Sequence, residues 1–131
     1  MQNLSEQTLA AIGRMTVAAT DLEYLLAWIG ADRAGGDAAT VFAKPGEPLV
    51  AARGSVQFAA VGVRQELVAA VEAAATQLAL SQAALRRLWR DDSPADPAVF
   101  DEATSRLVSF REWLATFVAA AVAGEGAVRP G

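Results

Sequence analysis

The feature that most constrains this chain is a stripe of apolar residues along residues 67–89, at the centre of its longest uninterrupted helical pattern. Its members recur at alternating steps of four and three residues, which is the spacing of one face of an α-helix. They are Leu67, Val71, Ala74, Leu78, Ser81, Leu85 and Leu88. Because an amphipathic helix gains most of its stability from packing, the stripe predicts burial against partner helices.

Two further stripes with the same spacing lie on either side of this one. The first is Ile12, Met15, Ala19, Leu22, Leu26 and Ile29, and the last is Phe100, Ala103, Leu107, Phe110, Leu114, Phe117 and Ala121. The three phenylalanines of the last stripe are expected to supply bulk that the alanine-rich helices lack. The sequence therefore predicts an all-α fold, an antiparallel helical bundle of three long helices plus one or two short ones.

Helix start and stop signals divide the chain between these stripes. They are Asn3 or Ser5 before the first helix, Gly35-Gly36 after it, Asp37 before a short helix at 38–43, Glu47-Pro48 before the next, and Asp96-Pro97 before the last. The sequence leaves open whether residues 48–91 form one bent helix or two. A single domain is expected over residues 1–123, with a flexible C-terminal tail at 124–131.

Composition excludes several function classes. There is no cysteine and no histidine, so disulfides, thiolate metal sites and the commonest general base are all absent. We therefore expect no cofactor, no metal site and no catalytic residue, although an enzyme is not excluded. The net charge of −4 argues against nonspecific binding to nucleic acid.

The apolar segments and the N-terminal residues bear on location. The longest uncharged apolar runs, 73–85 and 113–124, are shorter than the roughly 20 residues that span a bilayer. The first residues lack the basic start and apolar core of a signal peptide. We therefore expect a cytoplasmic protein without a membrane segment. About a quarter of the residues are alanine; a core of such small residues favours completion by a second subunit, so a homodimer is expected.

A basic cluster marks the end of the central stripe. Arg86, Arg87 and Arg90 fall close to Trp89, and together they form a candidate contact for phosphate or RNA, with the indole as a stacking surface. The alternative is that the arginines interact with the negative end of the helix dipole and pair with the aspartates at 91 and 92. The acidic balance of the chain favours this alternative.

Ser81 and two acidic residues are the other polar candidates. Ser81 interrupts the central stripe, either as a polar contact at an inter-subunit surface or as a serine that bonds its own backbone at a tight helix crossing. Glu23 lies beside the first stripe, where pairing with Arg64 or Arg86 is favoured over a catalytic role. Asp21, two residues earlier, points elsewhere on the helix and cannot share a metal with Glu23.

The order of the predicted helices resembles the HEPN-like superfamily of small helical bundles from bacterial toxin–antitoxin and defence systems. The resemblance covers residues 9–122 and lies in the opening helix around 12–26, the irregular middle with a short helix, the long helix and the closing helix. HEPN ribonucleases carry an arginine followed four to six residues later by a histidine. The comparable segment here, 81–89, has no histidine and no arginine at its front, so the resemblance implies a dimer used for binding or regulation. Alanine-rich ESX-type secreted hairpins are also similar, but their Trp-x-Gly turn is missing.

These observations favour a non-catalytic helical interaction or scaffold module, a self-associating bacterial protein that acts as one partner of a regulatory or defence pair. Its candidate interaction surface is Ser81, Arg86, Arg87, Trp89 and Arg90. The alternative is a degenerate HEPN-type nuclease or RNA-binding protein that uses Arg86 and Arg87. A carrier of apolar ligands is a third class, which would need a cavity between the helices.

Overall fold

The structure, a computed structural model, describes residues 3–90 and 95–128, with side chains described up to residue 123. Its helices are α1 (Glu6–Ala34), α2 (Ala38–Phe42), α3 (Glu47–Ser55), α4 (Val61–Arg86) and α5 (Pro97–Val128). Short 3-10 turns follow α3 at Val56–Phe58 and α4 at Arg87–Trp89. No strand occurs among the described residues, so the all-α prediction is confirmed there. The flexible tail expected at 124–131 stays a prediction: α5 extends through residues 124–128, and residues 129–131 lie outside the described part.

The helix boundaries follow the capping signals of the sequence. Ser5 caps α1, since its Oγ accepts the N–H of Thr8 at 3.1 Å. Gly35 ends α1 in the left-handed conformation, with φ of +77°, which glycine adopts without steric cost. Aspartate carboxylates cap two later helices: Asp37 accepts the N–H of Ala39, and Asp96 accepts the N–H of Ala98. These predicted signals are confirmed.

Residues 48–90 form two α-helices rather than one bent helix. α3 ends at Ser55, and the chain becomes extended at Ala59 and Ala60, with ψ of 152° and 143°. The guanidinium of Arg64 donates to the carbonyl oxygens of Gln57 and Ala59 at 3.3 and 3.1 Å. It thereby satisfies acceptors that the broken helix leaves without an intrahelical donor.

The hydrophobic core is organised around α1, which contacts each of the other four helices. The largest apolar side chains that are fully buried come from three helices: Met15, Leu22, Leu26 and Ile29 from α1, Leu67 and Val71 from α4, and Leu107 and Leu114 from α5. All belong to the three predicted stripes. Of the three phenylalanines expected to fill the core, Phe100 is buried, whereas Phe110 and Phe117 are only partly buried.

The directions of the long helices follow from their contacts. Three contacts join α1 to α5 and to the residue just before it, and the residue numbers rise together on both sides. Thr8 Oγ1 donates to the carbonyl of Ala95 at 3.2 Å. Arg14 pairs with Asp101 at 2.9 Å, and Asp21 pairs with Arg111 at 3.1 Å. These two helices therefore run parallel. α4 runs antiparallel to α5, because the last turn of α4 lies beside the first turns of α5.

α3 is held against α1 and α4 by two different contacts. Gly30 of α1 lies so close to α3 that a Cβ atom at this position would be 2.7 Å from the backbone carbon of Ala51. Toward α4, the guanidinium of Arg53 donates to both carboxylate oxygens of Glu72, with the shortest distance 2.7 Å. This hydrogen bond and charge hold the pKa of Glu72 below its usual value.

Candidate interaction surface

Four of the five predicted surface residues lie together at the end of α4. Arg86 is the last residue of the helix, and the 3-10 turn carries Arg87 and Trp89 onward to Arg90, whose N–H donates to the carbonyl of Arg87. All four side chains are exposed, and that of Trp89 is 66% exposed. The aspartates expected to pair with the arginines lie at 91 and 92, outside the described residues. The cluster thus forms a basic, aromatic tip on the molecule.

Ser81 is buried rather than exposed, and it lines the same hollow as Arg87. It is 3% exposed, and its Oγ donates to the carbonyl of Leu78 at 2.7 Å. The residue therefore bonds its own helix, as the second of its two interpretations expected. Its side chain lies at the bottom of a hollow of about 280 Å³ between α4 and α5, together with Ala84 and Ala103.

The acidic candidates on α1 do not form a site. Asp21 is exposed and pairs with Arg111. Glu23 is partly buried, and this burial raises the pKa of its carboxyl. The expected ion pair with Arg64 is wrong, since Arg64 bonds main-chain carbonyls instead, and no described arginine pairs with Glu23. Among the residues that the structure describes, no cluster of acidic side chains is suited to hold a metal ion.

The three tryptophans all lie partly exposed beside the core stripes. Trp28, Trp89 and Trp113 occupy α1, the tip of α4, and α5 respectively. Trp113 is the one with aromatic neighbours: its ring stacks on that of Phe117 at 5.4 Å between centroids and lies 5.5 Å from that of Phe110. The three rings therefore form an aromatic ladder along α5, in which Trp113 is 51% exposed and the two phenylalanines are partly buried.

This aromatic ladder borders a groove of about 490 Å³ between α4 and α5. The opposite wall is formed by the first half of α4, with Ala69, Ala70 and Ala73, and Glu66 lies at its end. Because the alanine side chains are small, the groove stays open beside the rings. It is an apolar surface hollow between two helices, with one acidic residue at its rim.

The groove belongs to a longer exposed strip of α4, which we call the α4 ridge. Its residues recur at steps of three and four: Glu66, Ala69, Ala73, Thr76, Leu80, Ala83 and Arg87. Leu80, its largest apolar residue, is 51% exposed. Each ridge residue precedes a residue of the buried stripe by one or two positions, so the ridge follows the same three-and-four spacing on a different face of α4.

A smaller groove lies between α1 and α2. Its volume is about 360 Å³, and its walls include Val17, Asp21 and Tyr24. The ring of Tyr24 meets that of Phe42 edge-on at 5.2 Å between centroids. This contact anchors the five-residue α2 to α1, which explains why two aromatic side chains are used at a partly exposed position.

Comparison with protein-family models, curated proteins and solved structures finds no significant match to this chain. The HEPN-like resemblance therefore stays a prediction.

α4 carries more apolar residues than it buries in the core. Among the described helices, only the segment Val61–Trp89 is long and apolar enough to cross a membrane by length and composition, with a mean hydropathy of 1.2 in its most apolar window. Core helices of soluble proteins pass the same test when they are mostly buried, but only 33% of this window is buried. Some large apolar residues of α4 therefore remain exposed, among them Val68 at 44% and Leu80 at 51%.

Proposed function

We propose that this chain is a non-catalytic helical interaction module that associates with itself. The observation that carries the proposal is the outward-facing apolar surface of α4 and α5, which combines the α4 ridge with the aromatic ladder of Phe110, Trp113 and Phe117. Contiguous apolar surface of this kind marks binding sites more often than it occurs on an isolated monomer. Tryptophan is also enriched at protein interfaces.

The proposal extends to the architecture and the setting of the module. We propose that α1, α4 and α5 form a three-helix bundle, in which α4 runs antiparallel to the parallel pair α1 and α5. The helices α2 and α3 are short additions, so that one face of the bundle is left for a partner. The cell compartment proposed is the bacterial cytoplasm. A role as one partner of a regulatory or defence pair is supported by the HEPN-like helix order alone.

The solution mass tests self-association directly. In size-exclusion chromatography with light scattering, the mass is expected to rise toward twice the 13.6 kDa of the chain as the concentration increases from low to high micromolar. A mass of one chain throughout this range would overturn the proposal of self-association. The interaction module would then need a different protein as its partner.

A second candidate function is RNA binding or cleavage by a degenerate HEPN-type protein. The specific observation in its favour is the exposed Trp89 beside Arg86 and Arg87, since an aromatic ring flanked by cations suits an unpaired base and its phosphate. The test is binding and cleavage of a single-stranded RNA by the wild type and by the double variant Arg86→Ala, Arg87→Ala. Binding that falls at least tenfold in the double variant supports this function, and equal behaviour of the two proteins refutes it.

A further inference from the structure

We propose that the partner of the α4 ridge is a second copy of this chain, packed antiparallel about a two-fold axis between Thr76 and Gln77. This inference rests on the proposed self-association and names the face that carries it. Residues at the ends and near the middle of the ridge complement the ridge of a second copy that runs in the opposite direction. Under such an axis, Leu80 of each copy meets Ala73 of the other, and Glu66 of each copy meets Arg87 of the other.

The distribution of side-chain size supports this arrangement. Leu80 is large and protrudes, whereas Ala73, at the mirrored position, lies in the wall of the 490 Å³ groove beside Trp113. When the two copies run in opposite directions, Leu80 of each copy therefore lies over the groove beside Ala73 of the other. This contact occurs twice in each dimer. Elsewhere along the ridge the exposed residues Ala69 and Ala83 are also small, and small residues allow two helices to approach to about 8 Å.

The charges select a second copy over an unrelated partner. Glu66 stands at one end of the ridge and Arg87 at the other, and both are exposed. Neither makes an ion pair within the described residues. Glu102 and Arg106, which line the hollow beside Leu80 and Arg87, already neutralise each other at 2.7 Å. Glu72, next to Ala73, is paired with Arg53. A two-fold interface is the same patch on both subunits, so a patch with one acidic and one basic end satisfies itself.

The available area is sufficient for a specific but modest interface. The 21 helical steps from Glu66 to Arg87 extend about 32 Å, and two helices side by side present a face about 18 to 20 Å wide. Each copy can therefore bury about 600 Å² and the pair about 1,200 Å², at the lower end of stable specific interfaces. The dimer is expected to form reversibly rather than to be obligate.

Four proteins test the arrangement by light scattering after chromatography. Leu80→Glu is expected to weaken the dimer at least a hundredfold, because two copies lose the apolar contact and gain a desolvated charge. Since Leu80 is half exposed in the monomer, the variant keeps its fold, which circular dichroism checks. Val17→Glu is the matched control: Val17 is 70% exposed on α1, away from α4, and its replacement is expected to leave the dimer unchanged.

Charge reversal tests the two-fold symmetry itself. Glu66→Arg and Arg87→Glu are each expected to weaken self-association about tenfold, since either change places like charges at both ends of the interface. An equimolar mixture of these two single variants is expected to recover a heterodimer of wild-type strength, because every end-to-end contact then joins opposite charges. The recovery is expected to diminish at high salt concentration.

A cross-link provides an independent measurement. The chain has no cysteine, so Gln77→Cys places a single thiol next to the proposed axis. A short bismaleimide is expected to convert most of this variant to covalent dimer, whereas a single thiol from Val50→Cys, on the exposed side of α3, is expected to yield little.

The outcomes separate the two proposals. A wild type that stays monomeric refutes self-association and this interface together. A wild-type dimer that survives Leu80→Glu and gives no cross-link at position 77 refutes only this interface. Loss of the dimer in Leu80→Glu together with recovery in the charge-reversal mixture establishes it.

Discussion

Replacement of Gly30 by alanine is expected to destabilise the protein, although alanine is the better helix former. Gly30 lies on α1 and faces α3, where an added Cβ would stand 2.7 Å from both the backbone carbon and the Cβ of Ala51. Atoms of the main chain cannot rotate away, so α3 as a whole has to move. Overpacking of this kind costs about 1 to 3 kcal/mol.

The greater helix preference of alanine over glycine stabilises the variant and so opposes the overpacking cost. A matched control, an exposed glycine on the same helix, measures this preference alone. Gly13 is on the same helix, exposed, and has no atom within 4 Å of an added Cβ. Gly13→Ala is therefore expected to raise the free energy of unfolding by up to about 1 kcal/mol. Gly30→Ala receives the same gain and the overpacking cost, so the difference between the two variants measures the packing term at about 1 to 3 kcal/mol.

Urea unfolding followed by circular dichroism gives both free energies under one condition. The double variant Gly30→Ala, Ala51→Gly is expected to recover part of the loss, because it removes one of the two closest atoms but leaves the backbone carbon. If Gly30→Ala is as stable as Gly13→Ala, then α3 does not pack on Gly30 as described, and the close contact between α1 and α3 is refuted.

Three other substitutions follow from the carboxylates and from the first helix cap. Burial raises the pKa of Glu23, so its ionisation lowers the free energy of unfolding as the pH rises above about 4.5. Glu23→Gln is therefore expected to be more stable than wild type at pH 7 and equal to it near pH 4. The Arg53 guanidinium lowers the pKa of Glu72, so this carboxyl contributes stability above pH 4.5 that is lost on acidification. Glu72→Gln is therefore expected to be less stable than wild type at pH 7 and equal to it in acid. Urea titrations at the two pH values check both, and the same sign for both variants would contradict the assignments. Ser5→Ala removes the cap of α1 and is expected to cost about 1 kcal/mol, measured by urea unfolding at pH 7; an unchanged midpoint would show that Asn3 or solvent replaces the cap.

The sequence predicts the long helices well because their signals are local. The buried members of each stripe, such as Leu22, Leu67 and Leu114, are those that the three-and-four spacing selects. The caps at Asp37 and Asp96 are equally local, since each carboxylate bonds an N–H two residues away. Residue type and spacing alone determine these features.

The features that the sequence did not predict depend on distant parts of the chain. The break between α3 and α4 falls at Ala59 and Ala60, two good helix formers, and it is accompanied by burial of Ala59 and by the hydrogen bonds of Arg64. Tertiary packing here overrides helix preference. The expected ion pair of Glu23 with Arg64 was wrong for a similar reason, because the placement of α4 relative to α1 decides whether an arginine can reach Glu23.

The candidate surface was only partly predictable. The exposed basic tip around Trp89 follows from its position at the end of the central helix. The α4 ridge was missed because alanine fits both the core and the surface, so a stripe of alanines beside a stripe of leucines does not by itself show which one is buried. Phe110 and Phe117 were assigned to the core for their bulk, whereas the structure leaves them only partly buried, at the rim of a groove.

The parallel alignment of α1 with α5 affects how the chain reaches its folded state during synthesis. Thr8 bonds the carbonyl of Ala95, 87 residues later, so the first helix leaves the ribosome long before its main packing partner exists. At about 5 to 20 residues per second, this interval lasts about 4 to 17 seconds. During that time the apolar stripe of α1 has only α2, α3 and α4 to cover it. Completion of the fold is therefore expected to wait for α5, and nascent chains that stop before it are expected to be the forms that require chaperones.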